Sequence, residues 1–287
     1  MFYVLLAASC SVLVSVLLKI ARRHDVDVAQ AVTWNYLAAS MLCALLLKPS
    51  LAPLQQPGVP WVSLLGLAAV LPSLFLVLAA SVRRAGIVRT DIAQRLSLLL
   101  SLLAAFAFFG ETASALKLCG IALGLLAVLG ILLRPERNTT ETERTWPVLL
   151  TVWAGLAVVD VMLKHIAAAG TPFAASLQVT FVLAFIGMLG WQLWRAYRGH
   201  ARFSAKNLGA GLLLGLINFG NIIFYVSAHR ALPGQPAVIF ASMNIGVVVL
   251  GTLVGAIGFG EKLSLLNRIA IGCAILAIVL IALAPRA

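Results

Sequence analysis

Charge is what this chain has least of. Only 10% of its 287 residues are Asp, Glu, Lys or Arg. Soluble domains carry about 25% charged residues, so a water-facing globule of this size would leave much apolar surface uncovered. With 62% hydrophobic residues and a mean hydropathy of +1.05, disorder is excluded as well. Cysteine is scarce: Cys10, Cys43, Cys119 and Cys273 lie inside apolar runs with no CxxC spacing. That argues against a disulfide framework and a thiolate metal centre. A phosphate loop is lacking, and so is any Ser/His/Asp or Cys/His constellation. His24, His165, His200 and His229 fall in loops or at span ends without a second ligand at metal spacing. An integral-membrane enzyme is therefore the weak alternative, and no cofactor or metal is expected.

What the chain has is long apolar runs. The net charge of +12 comes from small basic clusters between them, such as Arg22-Arg23 and Arg83-Arg84. That pattern is a membrane topology signal, not a phosphate-tracking face, so nucleic acid is not an expected partner. Ten candidate spans emerge, at 2–20, 29–47, 61–80, 88–109, 113–133, 147–166, 173–194, 207–226, 235–259 and 263–284. Each must be a helix, because an isolated segment in lipid satisfies its backbone only internally. The first run, opening at Phe2 without a basic leader, is expected to be a retained helix.

An internal repeat divides the chain. VSVLLK (Val14 to Lys19) recurs as VDVMLK (Val159 to Lys164), SVRRA (Ser81 to Ala85) as SAHRA (Ser227 to Ala231), and FGETAS (Phe109 to Ser114) as FGEKLS (Phe259 to Ser264). The nearly constant offset implies duplication of a five-helix unit, with residues 1–133 as the first repeat, 134–146 as a linker loop and 147–287 as the second repeat. Five is odd, so the second unit enters the membrane from the opposite side. The expected fold is an all-α polytopic membrane protein of ten transmembrane helices in two inverted five-helix repeats. Such pairs commonly build a transport pathway at their interface. Basic residues concentrate in the odd-numbered loops, which places those loops in the cytoplasm and both termini outside.

The repeated Gly-Glu motifs, Gly110-Glu111 and Gly260-Glu261, together with the repeat itself, resemble the EamA-type, ten-helix branch of the drug/metabolite transporter superfamily. The first-helix pattern also resembles the small multidrug resistance proteins, in which an essential acid precedes a lysine by eight residues. Here that position is Ser11 before Lys19 and Leu156 before Lys164. The departure argues against the drug–proton antiport of those small proteins. The resemblance implies transport of small metabolites, amino acids or drugs, often export. It also implies a central cavity lined mainly by the first, third, fourth, sixth, eighth and ninth helices, and cytoplasmic termini. On the termini it opposes the charge count, and both readings stay open.

Polar groups inside a bilayer are costly and mark function or pairing. Asp160 and Lys164 are one helical turn apart, suited either to a structural ion pair or to a titrating, substrate-contacting site. Lys19, the repeat equivalent of Lys164, is expected to snorkel past its helix end toward Arg22 and Arg23. Asp91 and Arg95 form a second acid–base pair at a helix start, either solvated or gating, with Gln94 beside it and Asn244 as the repeat counterpart of Gln94. Asn218, Asn221 and Tyr225 share one stripe, for helix–helix bonding or for lining a pathway. Pro72, the counterpart of Asn218, frees a backbone carbonyl in the third helix. Trp34, Asn35 and Tyr36 point in different directions, so at most one or two can face a pathway, and an interfacial belt is the simpler reading. Glu111 and Glu261 read as structural, each beside a serine that can cap the next helix. Gly120 with Gly124, Gly211 with Gly215 and Gly251 with Gly255 permit close helix contact. Asn138-Thr139-Thr140 is a chance glycosylation match on a cytoplasmic loop.

The expected function is secondary transport of a small molecule by alternating access, with protons as a candidate coupling ion and the bacterial inner membrane as the setting. The site would join Asp160 and Lys164 to Asn218, Asn221, Tyr225, Gln94 and Asn244, which suits a zwitterion or polar amine. A lipid or lysolipid flippase is the nearer rival.

Overall fold

The computed structural model describes residues 2–109, 115–132, 145–232, 236–261 and 265–283. The linker loop, Glu111, the sequon and Ser264 lie outside the described residues. Among the described residues the chain is all-helical: α1 (Phe2–Ala21), α2 (Val28–Leu42), α3 (Trp61–Ala85), α4 (Ile87–Phe109), α5 (Ala115–Leu132), α6 (Trp146–Ala168), α7 (Phe173–Tyr197), α8 (Ala205–Ala231), α9 (Pro236–Leu253) and α10 (Leu265–Leu283). α2 and α9 each end in a π-helical turn, over Cys43–Leu47 and Val254–Gly258. Among the described residues, six helices are long and apolar enough to cross a bilayer: α1, α2 with its π turn, α3, α6, α7 and α8. α5, α9 and α10 are apolar over shorter described stretches. α3 runs unbroken through Pro72.

Local chemistry sets the helix ends. Asp27 caps α2 by accepting from the backbone N–H of Ala29 at 2.9 Å and Gln30 at 3.3 Å. Ser204 caps α8 by accepting from Asn207 N–H at 3.1 Å. Between α3 and α4 the chain turns on the single residue Gly86, whose φ of +88° an L side chain rarely adopts.

Helix directions follow from cross-helix pairs. α1 and α8 run antiparallel: Asn221 bonds the Ala7 carbonyl, while Leu213 and Leu214 share a void with Leu17 and Leu18. α3 and α6 are also antiparallel, with Ser63 bonded to His165 at 2.8 Å and Leu74 packed on Gly155. α1 runs against α4, through Ser15 to Asp91 and Ser11 to Arg95. α2 and α8 are parallel and close. A Cβ on Gly215 would lie 2.6 Å from Ala38 Cβ, and one on Gly211 would meet the Ala31 carbonyl. Gly251 and Gly255 likewise admit Asp91 and Val88 of α4 against α9. These two small-residue pairs therefore serve the packing role their spacing suggested. Exchanging α1–α5 with α6–α10 turns the α1–α8 contact into the α3–α6 contact, α2–α8 into α3–α7, and α4–α6 into α1–α9.

Candidate functional site

Polar side chains converge where α1, α3, α4, α6 and α8 meet. A cavity of about 220 Å³ there is lined by Ser11, Ser15, Gln94, Arg95, Asn218 and Asn221, with Leu71, Leu74, Phe75 and Leu156 among its apolar walls. Arg95 is its centre. Its NH2 donates to Ser11 Oγ at 2.8 Å and its NH1 to Asn244 Oδ1 at 3.3 Å. Asp91, Tyr225 and Asp160 stand close enough to act on the guanidinium charge. The arginine is thus tied to α1 and α9 from a position on α4.

Asp91 is 1% exposed. Its Oδ1 accepts from Ser15 at 3.0 Å and from Gln94 Nε2 at 3.1 Å. A solvated pair at a helix start is therefore not what forms. The first turns of α4 lie within the bundle, and burial without hydrogen-bond partners would cost several kcal/mol. Asn218 donates to Asn35 Oδ1 at 3.2 Å and Asn221 to the Ala7 carbonyl at 3.1 Å. Both also border the cavity, so this stripe of α8 bonds its neighbours and faces the void at once. Tyr225 stacks edge-on with His229 at 4.6 Å between ring centroids. Pro72 is buried but is not among the α3 residues on the cavity wall, which are Leu71, Leu74, Phe75 and Leu78.

A second cavity of about 520 Å³ continues past the shared residues Leu71, Phe75 and Asn218. Its walls are nearly all apolar: Leu67, Val159, Leu163, Leu177, Phe181 and Ile222, with Tyr36 and Lys164. Ala167, Thr171 and Phe173, where α6 passes to α7, form its outer end. Asp160 and Lys164 both engage neighbours. Lys164 borders this larger cavity, whereas Asp160 lies on the α6 side of Arg95.

One turn beyond Ser15 on α1, Lys19 meets Glu261. Its carboxylate pairs with Lys19 of α1 and accepts from the backbone N–H of Ile87 at 2.7 Å and of Val88 at 3.2 Å. Lys19 also lies 4.4 Å over the Phe259 ring. Lys19 does reach toward Arg23, whose guanidinium lies 5.7 Å from the same Phe259 ring, but the partner that holds it is Glu261, which no local pattern joins to it. Glu261 is structural, and among the described residues its caps fall on α4. The aromatic belt is corrected. Tyr36 is 1% exposed and Asn35 fully buried, and Trp34 packs between Phe185 and Phe203. α2 turns this face to α7 and α8, not to lipid headgroups.

Ser11, Ser15, Asn35 and Tyr36 are functional candidates that the spacing of charges did not single out. The signal lay in Ser11 and Ser15 standing eight and four residues before Lys19, on the face that meets α4.

A bundle of apolar helices around a polar void defines a multi-pass integral membrane protein, and a membrane transporter is the class it fits. Residues 1–133 match the EamA-like transporter family. A protein of Haemophilus influenzae, itself uncharacterized, is 38% identical over 279 residues, covering 94% of each chain. The chain belongs to the EamA-like transporter family of the drug/metabolite transporter superfamily.

Proposed function

We propose that this protein is a ten-span secondary transporter, made of two inverted five-helix repeats, that moves a small organic solute by alternating access. The observation that carries the reading is the cavity around Arg95, walled by α1, α3 and α4 of one half and α6 and α8 of the other. Rocking of one half against the other exposes such a site to each side in turn. Support for inversion comes from direction: α1 runs against α4, α4 turns back on α3, and α3 runs against α6, so α1 and α6 oppose each other. The larger cavity then serves as the vestibule of one state, and Glu261 with Lys19 as the closed door of that state.

Export across the bacterial inner membrane is the direction we favour, driven by an ion gradient with protons as the candidate. Asp91 and Asp160 beside Arg95 are the groups through which a proton would act. The test is an untargeted comparison of metabolites inside and outside cells with and without the gene. It is followed by flux of the identified solute into proteoliposomes under an imposed pH gradient. Solute that accumulates outside only in expressing cells supports the reading. An unchanged metabolite profile, with movement of a headgroup-labelled lysolipid instead, transfers the protein to the flippases.

A further inference from the structure

The two cavities differ in kind, and the difference selects a ligand. Among the described residues, the charged side chains on their walls are Arg95 in the smaller and Lys164 in the larger, both cationic. Asp91 is on neither wall. Its Oδ1 holds Ser15 and Gln94, which themselves border the smaller void. Asp160 is on neither wall either. Asp91 is held behind the smaller wall, and Arg95 stands at the surface a solute meets there.

Hydrogen-bonding capacity agrees. Arg95 Nε on the smaller wall, and Tyr36 Oη and Thr180 Oγ1 on the larger, are buried without a partner. Each can donate. Arg95 donates to two neutral oxygens, those of Ser11 and Asn244, which leaves its planar fork the strongest anion receptor in the cavity. Beyond it the void is apolar and ringed by aromatics, with Tyr36 6.1 Å from both Phe75 and Phe181 between centroids.

We propose that the paired cavities take an amphipathic organic anion, its acidic head against Arg95 and its apolar, ring-sized tail in the larger chamber. The proposal rests on the transporter reading and sharpens its substrate class. It departs from the zwitterion or amine that the Asp160–Lys164 spacing suggested in the sequence, because an ammonium group in the smaller cavity would meet the Arg95 guanidinium on its wall.

The experiment uses four probes with one phenyl tail: phenylbutyrate (anion), phenylbutylamine (cation), phenylbutanol (neutral) and homophenylalanine (zwitterion). Thermal stabilisation of the purified, detergent-solubilised protein is titrated with each, and each is then followed into proteoliposomes against protein-free vesicles. Phenylbutyrate should half-saturate at about tenfold lower concentration than the other three, the scale of one charge-assisted hydrogen bond. Arg95→Gln should erase the preference. Arg95→Lys should keep part of it, having charge without the fork. If Arg95→Gln fails to fold, the wild-type ranking still decides. Equal responses, a preference for amine or zwitterion, or no stabilisation by any probe overturns the proposal. A solute exported in the metabolite comparison keeps the transporter reading alive through any of those failures.

Discussion

Arg95 of α4 donates to Ser11 of α1 at 2.8 Å, at the position where the small multidrug resistance pattern would place an acid. A carboxylate at Ser11 would pair directly with the guanidinium, and that charge would no longer be available to a solute. Ser11→Asp is therefore expected to abolish binding of an anionic probe while leaving the fold intact, since Arg95 gains a stronger partner. Ser11→Ala should weaken binding by less. Ligand-induced shifts in melting temperature distinguish the two, and equal behaviour of both variants would detach Ser11 from the site.

Glu261 joins three helices that are far apart in sequence. Losing its caps on Ile87 and Val88 should cost about 1–2 kcal/mol of stability. The functional effect is expected to be larger, because the same carboxylate, paired with Lys19, is the proposed closed door. In a Val14→Cys background, with the native cysteines replaced, a membrane-impermeant thiol reagent should label the cavity from the Thr171 side only. Adding Glu261→Gln should open labelling from the Lys19 side as well. Labelling that stays one-sided would show that something other than this contact seals that end.

Gly86 couples backbone and door. Its positive φ resists any side chain, and a Cβ there would lie 2.7 Å from the Glu261 carboxylate. Gly86→Ala should therefore mimic Glu261→Gln in the labelling assay. Gly170→Ala carries a similar backbone strain, with φ of +73°, but has open space around its Cβ. It should lower the melting temperature without changing which side labels.

Much of the architecture was legible because lipid leaves few choices. The apolar runs located all ten helices to within a few residues. Side-chain partners were harder to read. Lys19 and Glu261 are separated by 242 residues, and no local pattern joins them. Asp91 and Arg95 read as a solvated or a gating pair because one-turn spacing fits both, and the packing of α1, α6 and α9 around α4 decides between them. Asn35 and Tyr36 looked interfacial because aromatic and amide residues near a span end suit headgroups. The burial of Asn35 depends on Gly215 letting α8 come close, and that of Tyr36 on Phe75 of α3 and Phe181 of α7. The intramembrane polar residues of α4, α6 and α8 were named from cost alone, yet cost does not say which of them faces the void.

Asp160 separates coupling from recognition. It stands near Arg95 but off both cavity walls, so its removal should spare the shape of the binding surface while changing the charge balance behind it. Asp160→Asn is expected to abolish transport driven by a pH gradient with normal expression, and to leave probe-induced thermal stabilisation in place. Asp91→Asn should behave differently, because that side chain also positions Ser15 and Gln94 on the cavity wall, and binding should fall with transport. The pair of measurements, flux in proteoliposomes and melting shifts in detergent, sorts the two acids. Full pH-driven flux in Asp160→Asn would remove that residue from the mechanism and leave Asp91, bonded to Ser15 and Gln94 of the cavity wall, as the acid to test next for a coupled proton.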